Sequence, residues 1–253
     1  MINYHLSGTM KLGSDIVILP SVDSTNIYAM EQVHAHMATH GKVYFALEQT
    51  AGKGQRGKQW FSAVGKNIMA SAVYAIDNRL LDTQFLFSSC IAMGCYDFYN
   101  LYAVDEVSIK WPNDIYWRDR KAGGILIENI IQAGLWKWSI AGIGLNINQT
   151  DFDPDIARKP VSLKQITGKE LDLMDLTRSL CYCLEIRWQQ FKQDPQSLLQ
   201  DLNKVLYRKG SLIKLKKGNR LFDARLEGVD EMGRLVVFSS MEERFIHGAV
   251  EML

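Results

Sequence analysis

The sequence predicts an α+β fold: a mixed, mainly antiparallel sheet flanked by helices, then a small β-rich tail. Three observations carry this. Short β-branched runs are joined by tight polar turns, which suits antiparallel pairing and argues against the alternating strands and helices of a Rossmann arrangement. Two long stretches, residues 83–101 and 173–191, have the apolar content of packed helices. From about Gly210 the pattern changes to SLIKLKK, RLFDARLEGV and RLVVF with turns at KGN and DEMG, which reads as a small barrel. The boundary falls near Tyr207 to Gly210, dividing the chain into domains 1–207 and 208–253.

The first predicted strand is DIVIL, residues 15–19, ended by Pro20. The caps of SVDSTN open a helix, with Ile27, Met30, Val33 and Met37 at helical spacing and Gly41 as its stop. His36 and His40 would lie one turn apart on it; with no third ligand evident they read as surface histidines. Residues 43–48 and 67–76 are strands on either side of a glycine-rich segment. The apolar stretch 83–101 is a buried helix. Strands follow at 107–111, 115–117, 124–131 and 138–143, with RDRK as a polar turn. The second long helix is capped at Asp172, and a further short one spans 198–206.

Composition narrows the function. The chain has 253 residues, 47% hydrophobic and 23% charged, as expected of a globular protein with a real core. A formal net charge of +1 gives no support to general polyanion binding. Cys90, Cys95, Cys181 and Cys183 sit in apolar stretches without zinc-ligand spacing, and read as reduced core residues of a cytoplasmic protein. MINYHLSGTM lacks the apolar core of a signal peptide, and no apolar run reaches membrane-spanning length.

The segment EQTAGKGQRGKQWFS, residues 48–62, holds the densest chemistry. Gly52, Gly54 and Gly57 alternate with Lys53, Arg56 and Lys58, and Trp60 follows. Such a segment can turn its N–H groups toward an anion while the cations add charge and the indole offers a face to a base. Residues 52–58 also match the start of a P-loop, but Gln59 replaces the magnesium-binding hydroxyl and no helix follows. A solvated basic loop is the bland alternative. KWPND, residues 110–114, places an amide and a carboxylate at a strand end, where they could hold magnesium or form a turn. KAGGILIE, residues 121–128, and AGIGLNIN, residues 141–148, add glycines that permit close backbone approach by a ligand.

In this order and spacing, DSTN, EQTAGKGQRGKQW, KWPND, KAGGILIE and GIGLNIN resemble the biotin–protein ligases, or holocarboxylase synthetases. The resemblance implies a catalytic domain related to class II aminoacyl-tRNA synthetases and an SH3-like C-terminal barrel. It implies ATP, biotin and Mg2+ as small-molecule requirements, and a biotin carboxyl carrier domain of a carboxylase as acceptor. Biotin's carboxylate attacks the α-phosphate to give biotinyl-5′-AMP; a carrier lysine then takes the biotinyl group. Lys121 and Arg56 are the implied catalytic residues. Ser24, Thr25, Asn26, Gln49, Gly52, Lys53, Gly124, Gly142 and Gly144 are implied for biotin. Lys53, Gln55, Arg56, Lys58, Trp60, Lys110, Asn113 and Asn146 are implied for ATP and the adenylate, and Asp114 for the metal. Gln55 and Lys58 depart from the pattern, since many members carry arginine at both; a weaker loop contact at Gln55 would let more adenylate escape. Only fourteen residues precede the first strand, so no DNA-binding helix-turn-helix, no DNA and no membrane partner are expected. A homodimer through an exposed sheet edge stays open. The rivals are a lipoate–protein ligase, whose pocket needs no ureido contacts, and a non-enzymatic biotin or nucleotide sensor, which needs no Lys121.

Overall fold

The computed structural model describes residues 11–76, 83–103, 106–153 and 159–253; residues 1–10, where a signal peptide was sought, lie outside it. A seven-stranded sheet has the order β1-β2-β3-β7-β6-β5-β4. Its strands are β1 (Ile16–Leu19), β2 (Val43–Ala46), β3 (Ile68–Ala75), β4 (Val107–Lys110), β5 (Asp114–Trp117), β6 (Arg120–Gln132) and β7 (Leu135–Leu145). β1 and β2 pair in parallel across α1 (Thr25–His34); the other five pairings are antiparallel. The mixed, mainly antiparallel sheet is therefore as expected.

The two faces of this sheet separate by the two-residue period of a strand. On β3 and β7, Ala70, Ala72, Tyr74, Ala141, Ile143 and Leu145 join the main core. That core is completed by α2 (Gln84–Ala103), α4 (Leu173–Gln193) and α5 (Pro195–Lys204). Gly94 lets α2 and α4 close together, since a Cβ there would stand 2.7 Å from Leu184 Cδ2. Arg187 ties these helices by pairing with Asp97 at 2.5 Å and Asp201 at 2.8 Å. The alternate residues Val73, Ile140 and Ile130 face α1 and its Ala29 and Val33. Toward the C-terminal end of β7 this second face carries Asn26 of the first turn of α1 over Gly142 and Trp60 over Gly144.

A five-stranded sheet of order β11-β10-β9-β8-β12 forms the tail. It comprises β8 (Leu212–Lys217), β9 (Arg220–Val229), β10 (Leu235–Phe238), β11 (Glu242–Phe245) and β12 (Glu251–Met252). Its own core includes Leu215, Leu226, Leu235 and Val237, and receives Trp111 and Leu206 from outside it. Trp111 Nε1 donates to Gly233 O at 3.0 Å, which ties the two sheets.

Several expectations need correction. The first helix stops at His34, and His36 is left-handed at φ 57°. Met37 is 64% exposed, so the apolar spacing that extended the expected helix does not mark a buried face. His36 and His40 therefore share no helical turn, and His40 is half-buried against Tyr74 and Trp188, accepting from Ala75 N–H through Nδ1. β6 begins at Arg120, so Arg120 and Lys121 of RDRK belong to a strand. The short helix expected over 198–206 runs instead as α5 from Pro195 to Lys204, with the proline in its first turn. A short helix α3 (Leu163–Thr167), with a capping box between Ser162 and Gln165, and the strands β11 and β12 have no counterpart among the expected elements.

Candidate active site

A cavity of about 890 Å³ opens between the sheet, the glycine-rich loop and the barrel. Its floor is set by strand register. Gly124 pairs with Gly144, and Leu126 with Gly142, so these residues share one face of β6 and β7. Absence of side chains there is required at two points. A Cβ on Gly142 would meet Asn26 Oδ1 at 2.3 Å, and one on Gly144 would meet Trp60 Cε2 at 2.5 Å. The floor is thus two slots, one for an amide and one for an indole.

The amide slot holds a connected polar cluster. Ser24 caps α1 without a side-chain cap bond, leaving its hydroxyl free of that duty, and it lines the cavity with Thr25 and Asn26. Gln49 Oε1 accepts from Thr25 N–H at 2.8 Å and lies 3.0 Å from Thr25 Oγ1. Ser71 Oγ lies 2.8 Å from Thr25 Oγ1 and 2.6 Å from Asn26 Oδ1. Asn26 Nδ2 donates to Leu126 O at 3.1 Å and to Glu128 Oε2 at 2.8 Å. All three residues of the α1 start are buried, so their polar atoms need these partners.

The loop folds back on itself. Gly54 N–H donates to Lys58 O at 2.7 Å, and Trp60 N–H to Gly52 O at 2.9 Å. At the tip, Gln55–Gly57 form one 3-10 turn, with Arg56 left-handed at φ 56°, ψ 43° and Gly57 at φ 73°. Lys53, Arg56 and Lys58 are exposed and line the cavity mouth. The buried Trp60 Nε1 has no hydrogen-bond partner among the described residues, a donor that a ligand acceptor would relieve of a cost of about 1–3 kcal/mol.

Lys121 reaches this cavity through a β-bulge. Tyr116 pairs with Lys121, but Ile115 pairs with Gly123 and Asp114 with Gly124, so Ala122 is the extra residue. The bulge brings Lys121, Asp114 and Gly124 to one face. Lys121 Nζ stands 2.7 Å from Asp114 Oδ1, with the lysine side chain 27% and the aspartate 7% exposed. It lies 5.7 Å from the Trp60 ring centroid. The Lys121 main chain is held on both sides: its N–H donates to Lys159 O, and its carbonyl accepts from Val161 N–H and Asn146 Nδ2. A fixed cation beside a polar slot and a cation-lined mouth can hold two anions together.

Two expected site residues are elsewhere. Lys110 is buried, its Nζ over the rings of Tyr116 at 5.2 Å and Tyr207 at 5.6 Å, and it does not line the cavity. Gly52 does not line it either: its missing Cβ makes room for Trp60 O and the Gln49 amide. Asp114, expected to hold the metal, lines the cavity. Its Oδ1 is held by Lys121, and no group of three or more His, Cys, Asp or Glu that could hold a metal occurs among the described residues. Asn113, which lines the cavity, spends Nδ2 on Ile125 O at 2.6 Å.

Other lining residues were not foreseen. The segment from His247 to Met252, with Lys216 and Gly218, forms a wall from the barrel. Gly248, at φ 86°, leaves space for Arg56, whose guanidinium carbon would be 3.2 Å from a Cβ there. Burial lowers the His247 pKa below its ordinary value, and the Arg56 charge lowers it further. No sequence signal joins residues 56 and 248. Ser71 and Glu128 were also missed, although the alternation of KAGGILIE puts Glu128 on the same face as Gly124.

The profile of the Biotin/lipoate A/B protein ligase family matches residues 18–146. The bifunctional ligase/repressor BirA of Salmonella typhimurium is 29% identical over 224 residues, covering 88% of this chain and 69% of that protein. The biotin–[acetyl-CoA-carboxylase] ligase of Paracoccus denitrificans is 28% identical over 229 residues, covering 87% and 92%. Among solved structures, the biotin protein ligase from Aquifex aeolicus in complex with biotin and ATP superposes with a TM-score of 0.78 at 22% identity, covering 95% of this chain and 99% of that one.

Proposed function

We propose, from the premise that the chain belongs to the Biotin/lipoate A/B protein ligase family, that it is an ATP-dependent biotin–protein ligase. The observation that carries biotin over lipoate is the connected cluster of Thr25, Asn26 and Gln49, which line the cavity, with buried Ser71 behind them. A cyclic urea can meet those polar atoms with its carbonyl and two N–H groups. A dithiolane offers no such groups and would leave buried polar atoms facing sulfur and carbon, at a cost of about 1–3 kcal/mol for each unsatisfied one.

In this reading, the biotin carboxylate comes to Lys121, and the loop cations Lys53, Arg56 and Lys58 receive the ATP phosphates. A carboxylate oxygen attacks the α-phosphorus, and the bond to the pyrophosphate oxygen breaks. Lys121 offsets the charge of the two anions as they approach. Asp114 holds the ammonium in place until they arrive. Trp60 packs against the adenine, and Asn113 and Asn146 face the nucleotide. An acceptor lysine amine then attacks the carbonyl carbon; the bond to the AMP oxygen breaks and the amine gives up its proton. Magnesium, carried in with ATP, would supply further charge; the chain offers it one carboxylate, so the phosphates and water would fill most of its shell. The acceptor is a biotin carboxyl carrier domain, and residues 1–207 and 208–253 divide as catalytic and barrel domains.

The test is ATP-dependent transfer of biotin to a purified carrier domain, with Lys121→Ala alongside. Transfer by the wild type, lost by at least 100-fold in the variant with biotin binding retained, supports the reading (about 2.7 kcal/mol of barrier). Binding without transfer in the wild type would make the protein a sensor. Transfer of lipoate would overturn the substrate.

A further inference from the structure

We infer that Glu128 is a positioning residue that sets the direction of the hydrogen bonds in the polar slot, so that Asn26 presents an oxygen to the ligand. This deepens the biotin reading and rests on it. Glu128 does not line the cavity; it acts through Asn26.

The argument is one of donors and acceptors. On one side of the Asn26 amide stand two oxygens, Leu126 O at 3.1 Å and Glu128 Oε2 at 2.8 Å. A main-chain carbonyl and a carboxylate only accept, so only the NH2 end of the amide fits there. Oδ1 is thereby turned toward Ser71, at 2.6 Å, and over Gly142, where a Cβ would lie 2.3 Å away. Oδ1 cannot donate, so the Ser71 proton is committed to it. Three oxygen–oxygen contacts (Ser71 to Asn26, Ser71 to Thr25, Thr25 to Gln49) must then share two hydroxyl protons. The cluster is one proton short. It favours a ligand that brings N–H groups, as a cyclic urea does. Were Glu128 neutral and able to donate, Leu126 O alone would hold the amide in this direction, and the preference for an outward oxygen would weaken.

The experiment is steady-state biotin transfer by the full chain, varying biotin and ATP separately, with thermal melting. Glu128→Gln keeps the shape and lets the side chain donate. The expected result is a rise in biotin KM of about ten-fold, with ATP KM and kcat at saturating biotin within about two-fold and Tm unchanged. Asn26→Asp combined with Glu128→Gln exchanges acid and amide and restores an oxygen facing the slot. It is expected to bind biotin at least about three-fold better than either single variant. An unchanged biotin KM in Glu128→Gln overturns the proposal. So does a joint change of biotin KM, ATP KM and Tm, which would mark a merely structural carboxylate, and so does a double variant no better than the singles. A wild type that transfers no biotin strikes the functional reading itself.

Discussion

Substituting alanine at Gly142 or at Gly144 should damage different substrates, although the two lie two residues apart on β7. Carbon atoms in contact prefer about 3.5–4.0 Å. A Cβ at position 144 would stand 2.5 Å from Trp60 Cε2 and 2.7 Å from Cζ2. The strand cannot give way, because Gly144 is laddered to Met69 on one side and Gly124 on the other. The indole must therefore retreat by about 1 Å, and a misplacement of that size in a binding site costs up to about 100-fold. On the proposed packing of Trp60 against the adenine, Gly144→Ala should lower kcat/KM for ATP by about 10- to 100-fold and leave the biotin Kd within about three-fold. At position 142 the collision is with Asn26 Oδ1 at 2.3 Å, so Gly142→Ala should weaken biotin by a similar factor and spare ATP. The assay is biotin transfer with each substrate varied in turn, plus calorimetric titration of biotin. Identical profiles for the two variants, or a wild-type profile for either, would refute the idea of two separate slots.

Three other outcomes are expected. Lys110→Met should lower Tm by about 2–8 °C through loss of a desolvated cation–π contact, with ATP KM within about two-fold; a large rise in ATP KM would return Lys110 to the nucleotide site. Because the folded His247 pKa is lowered, the unfolded chain takes up the proton more readily, so stability falls as pH drops below about 6.5 and levels off below the folded pKa. In His247→Gln, denaturant melts at pH 7.5 and 5.5 should differ less than in the wild type, and an equal difference would remove His247 from that loss. Gln55→Arg should reduce release of free biotinyl-AMP several-fold; equal release would show that Gln55 does not loosen the loop.

The motifs between residues 23 and 148 were readable because each needs a local backbone property: a cap, a left-handed turn, or a strand with no side chains on one face. Asp172 and the long helices were readable from spacing and capping chemistry in the same way. What stayed hidden depends on long-range contact. Lys110 looked like a ligand because nothing near it in the chain announces Tyr207, which covers it. The wall from His247 to Met252 is set by how the barrel docks through Trp111 and Gly233. Two misses were avoidable: Ser162 and Gln165 form a capping box visible in the sequence, and Glu128 stands at the right parity in β6. The exposed Met37 misled because period alone does not tell a buried stripe from a chance one.

The bulge at Ala122 means that Lys121 holds its address through an irregularity of the ladder as well as through residue identity. Lys121 and Gly124 are an odd number of positions apart, yet both turn to the cavity because one residue between them is left out of the ladder. Were every residue from Lys121 to Gly124 paired without a bulge, the odd separation would turn the ammonium through the sheet toward the packed helical layer. The irregularity in the ladder is thus what gives a lysine at this position its place in the cavity.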